Sequence, residues 1–284
     1  MHLFMGLALL ASAAPQAVVL KPVANMYAQP SDETEVVSQA IYGSNIGIVE
    51  TRPEWLHVRT ADDYTGWMRA ADARRLSTGD KPYAEPASGG KVAHIESLFA
   101  HIYYEPSVTK RQPLITVPFD TRLEVIAEPE DNTRWLEVRL ADDRAGWLQR
   151  GDASFENEPL PIAATIELSR RFLGLPYTWG GTSSFGYDCS GFVQMLCRRR
   201  GALPPRDADL QAAWQGATPV KREDLQPGDL LFFGSAADHI THTGMYIGEG
   251  RFINATTWIH PVVQICDLGD AHWTRLLVAC RRLK

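Results

Sequence analysis

The chain has 284 residues, 45% of them hydrophobic and 22% charged, with a formal net charge of −6. That length fills more than one domain, and the acidic balance argues against nucleic acid or an anionic membrane as the main partner. The first residues, Met1-His2-Leu3-Phe4-Met5-Gly6-Leu7-Ala8-Leu9-Leu10-Ala11-Ser12-Ala13, form a short apolar run closed by an Ala-x-Ala pattern. Such a run is too short to span a bilayer, and residues 1–16 read as a secretory signal peptide that lacks the usual Lys or Arg. The expectation is an exported protein with no stable membrane insertion. All four cysteines, Cys189, Cys197, Cys266 and Cys280, lie in the last third without C-x-x-C spacing, which makes a zinc site unexpected. Export leaves room for a disulfide, Cys266 with Cys280 for instance.

The first half repeats itself. The stretch Trp55-Leu56-His57-Val58-Arg59-Thr60-Ala61-Asp62-Asp63-Tyr64-Thr65-Gly66-Trp67 returns as Trp135-Leu136-Glu137-Val138-Arg139-Leu140-Ala141-Asp142-Asp143-Arg144-Ala145-Gly146-Trp147. The offset is 80 residues (135 − 55), and nine of the thirteen positions are identical. Tyr27-Ala28-Gln29-Pro30-Ser31 likewise returns as Tyr103-Tyr104-Glu105-Pro106-Ser107. In each copy Leu56 and Val58, or their equivalents, alternate onto one face, and an Asp-Asp turn leads through Gly-Trp into a second strand. Short strands joined in this way describe a small β-barrel, with the tryptophans in its core. The W-L-x-V … G-W pattern resembles bacterial SH3-like domains, over residues 17–78 and 92–153. Residues 79–91 read as a linker, because Ser77–Gly90 holds two prolines and three glycines, and a second boundary falls at Glu156-Asn157-Glu158-Pro159-Leu160-Pro161.

Beyond it, residues 160–284 read as an α+β domain. Ile162 to Leu173 has helical periodicity with Gly174 as its stop. A second helix opens at Cys189, with Asp188 as N-cap and Phe192, Val193, Leu196 and Cys197 on one face. Arg198, Arg199 and Arg200 load its last turn, and Gly201 follows. Strands follow at Leu230-Leu231-Phe232-Phe233, Thr243–Gly248 and Arg251–Asn254. A cysteine in the first helical turn meets the positive end of the macrodipole, which favours a thiolate nucleophile. His242, on a strand, is the base that pairs with it, and twelve residues on Asn254 returns on an adjacent strand to orient the imidazole. His239, His260 and His272 read as ordinary surface or core residues.

The ordered series Tyr177-Thr178-Trp179-Gly180-Gly181, Asp188-Cys189-Ser190-Gly191-Phe192, Pro204-Pro205-Arg206-Asp207, Pro227-Gly228-Asp229, His242-Thr243-Gly244 and Asn254 resembles the NlpC family of cell-wall cysteine peptidases. The resemblance implies a circularly permuted papain-like fold preceded by two SH3-like barrels, and hydrolysis of the γ-D-Glu–diamino acid bond of murein peptides. It makes Cys189 the nucleophile, His242 the base and Tyr177 an oxyanion donor. The family usually carries His where Asn254 stands; the Asn carbonyl can accept the same imidazole N–H, with His260 the lesser alternative. The resemblance also places Asp207 near the amino terminus of the substrate, with Ser190 beside the nucleophile as a further substrate-binding residue, and takes Glu35 and Tyr64 of the first barrel as walls of the cleft. The second repeat has Arg144 where the first has Tyr64, so a barrel has no need of Tyr there. No metal or organic cofactor is implied, and the expected protein is a periplasmic or wall-associated monomer acting on murein fragments. Two rival readings are a vestigial wall-binding protein and an amidase or acyltransferase acting on another amide.

Overall fold

A computed structural model describes residues 16–85, 89–131, 133–156 and 158–284; residues 1–15 of the segment read as a signal peptide lie outside them. The first sheet contains β1 (Ala17–Val19), β2 (Val23–Tyr27), β3 (Val36–Ile41), β4 (Asn45–Arg52), β5 (Trp55–Arg59), β6 (Thr65–Arg69) and β7 (Ala73–Arg75). The second contains β8 (Lys91–Ile95), β9 (Phe99–Tyr103), β10 (Ile115–Pro118), β11 (Arg122–Ala127), β12 (Trp135–Arg139), β13 (Ala145–Gln149) and β14 (Ala153–Ser154). Their strand orders, β3-β2-β6-β5-β4-β1-β7 and β10-β9-β13-β12-β11-β8-β14, are the same order seven strands on.

The period-2 pattern accounts for both. Leu56 and Val58, like Leu136 and Val138, point into their cores. The copies also share ring geometry: Tyr27 meets Trp55, and Tyr103 meets Trp135, edge-on with centroids 5.6 Å apart at 89°. Trp55, Trp67 and Trp135 are buried, whereas Trp147 is half-buried. Asp63 and Asp143, at equivalent turns, both adopt positive φ, 62° and 67°.

The stretch read as a linker is in part a buried bridge. Tyr83 and Ala84 sit in the core of the second sheet, the Tyr83 N–H donates to Asn45 Oδ1 (2.9 Å) and its hydroxyl to the Arg139 carbonyl (2.6 Å). Proline and glycine set the composition of this stretch, but one aromatic anchor decides its packing. Tyr42 joins the same contact, its hydroxyl accepting from the Ala141 N–H at 2.8 Å.

The remaining elements are α1 (Ile162–Arg170), β15 (Thr182–Ser183), β16 (Gly186–Tyr187), α2 (Cys189–Arg199), α3 (Ala208–Ala213), β17 (Ala217–Pro219), β18 (Leu230–Ala236), β19 (His239–Gly248), β20 (Arg251–Thr256), β21 (Val262–Asp267), α4 (Ala271–Leu276) and β22 (Leu277–Leu283). β15 and β16 pair with each other, and the last strands form an antiparallel sheet in the order β17-β22-β18-β19-β20-β21. α1 ends three residues before the expected Leu173, and Gly174 turns the chain at φ 84°. Along β18, Leu230 and Phe232 face a core shared with α2, while Leu231 and Phe233 face Trp273 of α4. The sheet is therefore covered on both faces.

That strand order removes the suggested Cys266–Cys280 disulfide. Cys266 is on β21 and Cys280 on β22, four strand spacings apart, and all four cysteines are free. Four spacings amount to about 19 Å, against the ~6 Å a disulfide spans.

The two N-terminal sheets grip opposite ends of α2. The second holds its C-terminal turn, with Arg198 on Asp120 and Arg199 on Glu96, both at 2.7 Å, and lends Phe119 to the core beside Phe172. The first sheet reaches the middle of α2 through Asp62, which accepts from Gln194 Nε2, and its N-terminal end by way of Ser38, which accepts from the Arg206 guanidinium that forks onto Asp188.

Candidate active site

The start of α2 is built around Asp188. Its Oδ1 accepts from the Gly191 N–H at 2.7 Å, which caps the helix. Gly191 has to lack a side chain, because a Cβ there would run into the carbonyl oxygen of Gly181. Cys189 occupies the first helical position, where its N–H has no partner within the helix. It is only 7% exposed, with the backbone of Thr243 and Ser190 beside the sulfur and Tyr177 near enough to feel its charge.

Thr243 is the neighbour of His242 on β19, and His242 Nε2 meets Asn254 Oδ1 on β20 at 2.8 Å. Asn254 is fully buried, and its Nδ2 donates to the Gln264 carbonyl (3.2 Å) and toward Cys266 Sγ (3.4 Å). Those donations fix which end of the amide faces the ring. Oδ1 can only accept, so Nε2 carries the hydrogen and Nδ1 keeps the lone pair. Gly244 makes room for this pairing: a Cβ there would lie 2.7 Å from the Phe252 ring and 3.1 Å from the Asn254 Cβ. The opposite side of the imidazole stacks on Trp273, centroids 5.2 Å apart.

In this arrangement the thiol pKa is raised, because burial outweighs whatever the helix terminus contributes. Burial, helped by the Asp188 carboxylate, pushes Cys189 up to about 12, and burial brings His242 down to about 4 despite its bond to Asn254. The resting pair is neutral, and among the described residues no hydrogen bond joins Cys189 Sγ to His242. Contacts of this kind commonly tighten only when substrate binds.

At the other side of Cys189 the first sheet and the last domain meet. Tyr64 and Asp207, the residue before α3, lie close enough to perturb each other's ionisation, and burial raises the pKa of both, Tyr64 to about 12. Glu35 accepts from Trp179 Nε1–H at 2.9 Å and contributes its charge at Tyr64. Residues separated by more than 140 positions thus share one end of the cleft, which carries two carboxylates, a phenol and an indole.

The last domain matches the family model described as NlpC/P60 over residues 174–282, and residues 26–72 match the bacterial dipeptidyl-peptidase SH3 domain. A γ-D-glutamyl-L-lysine dipeptidyl-peptidase of Bacillus cereus is 30% identical over 79% of this chain and 68% of its own length. The chain belongs to the NlpC/P60 family. Dipeptidyl-peptidase 6 of Lysinibacillus sphaericus is 28% identical over 84% of this chain and 87% of its own. The crystal structure of a Bacillus cereus NlpC/P60 family protein shares the fold, with TM-score 0.80 and 23% identity over 94% of this chain and 99% of that one.

Two groups in this NlpC/P60 site escape a reading of the sequence. Arg206 is 2% exposed and forks onto Asp188, Nη1 to Oδ1 at 3.0 Å and Nη2 to Oδ2 at 2.5 Å, while its Nε donates to Ser38 Oγ at 3.0 Å. Its Nη1 also donates to Ser190 Oγ at 2.8 Å, so the Ser190 hydroxyl is turned into this buried network. The only signal for Arg206 was its place between two prolines and Asp207. Beside His242, Trp273 and His272 belong to α4, and the half-buried His272 stacks on Trp258. His260 stays exposed, and its carbonyl accepts from Gln264 Nε2.

Proposed function

We propose that this protein is a cysteine peptidase that cleaves the γ-D-Glu–diamino acid bond of short murein peptides with a free N-terminal L-Ala. The observation that carries the reading is the Tyr64–Asp207 contact, which closes one end of the Cys189–His242–Asn254 cleft with acidic and aromatic groups. A carboxylate in a half-buried recess favours an ammonium over a neutral acylated amine, which limits the acyl side to a short peptide. Glu35 and Trp179 extend that wall; the name of the Bacillus cereus relative supports the same bond, and that of the Lysinibacillus sphaericus relative supports release of a dipeptide.

The chemistry follows from the protonation states. A neutral thiol passes its proton to His242 Nδ1 as Sγ attacks the amide carbonyl, so charge separates only when the substrate is in place. The Cys189 N–H and the Tyr177 hydroxyl stabilise the oxyanion. His242 then protonates the leaving amine, and water, deprotonated by the same nitrogen, releases L-Ala-D-Glu from the sulfur. Asn254 holds the ring in the tautomer this sequence needs. Asp188 and Arg206 set the first turn of α2, and Ser190 belongs with them.

We also read residues 92–153 as a second SH3-like module, supported by the shared strand order and the repeated Tyr–Trp contact, and the protein as exported, supported by the apolar run that ends in Ala-x-Ala. Mass spectrometry of L-Ala-γ-D-Glu-diaminopimelate and its lysine counterpart after incubation with the protein tests the activity. Release of L-Ala-D-Glu by the wild type and not by Cys189→Ala is the expected result. No release from either peptide contradicts the reading.

A further inference from the structure

The reaction fixes which side of the cleft receives the leaving group. The imidazole that protonates the departing amine has to reach it, so the departing amino acid lies on the His242 side of Cys189, away from Asp207. From His242 a row of rings runs outward. His242 stacks on Trp273 (5.2 Å, 28°), Trp273 meets His272 edge-on (4.8 Å, 82°), and His272 lies flat on Trp258 at 3.6 Å and 6°. Trp273 is buried, whereas Trp258 is 39% exposed. Since His272 covers one face of that indole, its exposure comes from the other face and the edges.

The loop that carries Trp258 is held in place. Gln264 Nε2 donates to the carbonyls of Trp258 (2.8 Å) and His260 (3.0 Å), and the Trp258 N–H donates to Thr256 Oγ1 at 3.1 Å. The Gln264 carbonyl accepts from Asn254 Nδ2, and the Pro261 carbonyl accepts from the Tyr177 N–H at 2.8 Å. Between these anchors Ile259, a β-branched residue, adopts φ 64° and is 71% exposed. A β-branched residue in the left-handed region is a genuine outlier, and strain of that kind persists where the surroundings hold it, commonly at functional sites.

We infer that the open face of Trp258, backed by His272, binds the side chain of the leaving diamino acid, with its terminal ammonium over the indole. This rests on the functional reading above. An ammonium over an indole face is attracted by the ring quadrupole, and at a partly exposed site the gain corresponds to about a 2- to 5-fold effect on binding.

The test uses matched peptides that differ only in the terminal amine: L-Ala-γ-D-Glu-lysine against its norleucine analogue, and the diaminopimelate peptide against its 2-aminopimelate analogue. The wild type is expected to favour the diamino member by about 2- to 5-fold in kcat/KM. Trp258→Ala should abolish that preference while still cleaving the mono-amino member, and Trp258→Phe should keep most of it. A wild type indifferent to the amine, or a preference unchanged in Trp258→Ala, overturns the inference and leaves the peptidase reading standing. Cleavage of none of the four peptides by the wild type removes both.

Discussion

The two N-terminal sheets share a frame and differ at its tips. Strand order, the edge-on Tyr–Trp pair and the positive-φ Asp of the turn are common to both. In the first sheet that turn presents Tyr64, half-buried and beside Asp207 of the last domain. In the second the equivalent Arg144 folds back on Asp142 of its own turn at 2.7 Å and stays exposed. Their docking differs in the same way. The first sheet meets the end of α2 that bears Cys189, through Ser38 and Arg206, and the second holds the far end through Arg198, Arg199 and Phe119. One frame can therefore furnish either a wall of a cleft or a brace, and the residues at its turns decide which.

The largest expected effect sets the zero for this comparison. Cys189→Ala should cut turnover by about 10⁴-fold or more with an unchanged far-UV circular dichroism spectrum. Next, Arg206→Leu leaves the Asp188 carboxylate buried without its partner and should cost roughly 3–5 kcal/mol in urea unfolding. Arg198→Leu, at the more open end of α2, should cost clearly less; equal losses would erase the distinction between the two ends. Tyr64→Phe removes the hydroxyl that stands beside the Asp207 carboxylate and should raise KM by about 10-fold, while Arg144→Ala should stay within about 2-fold of wild type. Equal effects from these two substitutions would mean that the first sheet has no special part in recognition.

The pH dependence sharpens the other side of the cleft. In the proposed mechanism His242 acts as a base only when unprotonated, and burial holds its pKa down to about 4 from the usual 6.5. Activity is lost as pH falls through that lowered value, so the acid limb of kcat/KM should have its midpoint below 6.5. A midpoint at or above 6.5 would show that His242 is not held neutral by burial.

Local chemistry was legible and long-range docking was not. Asp188 as N-cap and Cys189 in the first turn follow from residues within one stretch, and the 12-residue spacing correctly brings Asn254 onto the strand beside His242. The Tyr64–Asp207 contact depends on two domains meeting across 143 positions (207 − 64), which no periodicity records; only the family resemblance pointed to both residues. Arg206 has no role in the sequence reading, because nothing in Pro204-Pro205-Arg206-Asp207 shows that Asp188 and Ser38 enclose it. Tyr83 was hidden by the prolines and glycines around it. The distance between Cys266 and Cys280 depends on β22 inserting between β17 and β18, a matter of topology that proximity in sequence misrepresents. The thiol pKa failed for a related reason: the macrodipole is a local feature, whereas the burial that outweighs it comes from the whole fold.

The central claim is that Asp207, together with Tyr64 of the first sheet, selects a free amino terminus for the Cys189 nucleophile. It is tested most directly by kcat/KM for L-Ala-γ-D-Glu-diaminopimelate and its N-acetylated form, in the wild type and in Asp207→Asn. The account predicts that the wild type cleaves the free-amine peptide at least about 10-fold better, and that Asp207→Asn loses most of that ratio. Equal cleavage of the two peptides by the wild type, or a ratio unchanged in Asp207→Asn, would contradict it.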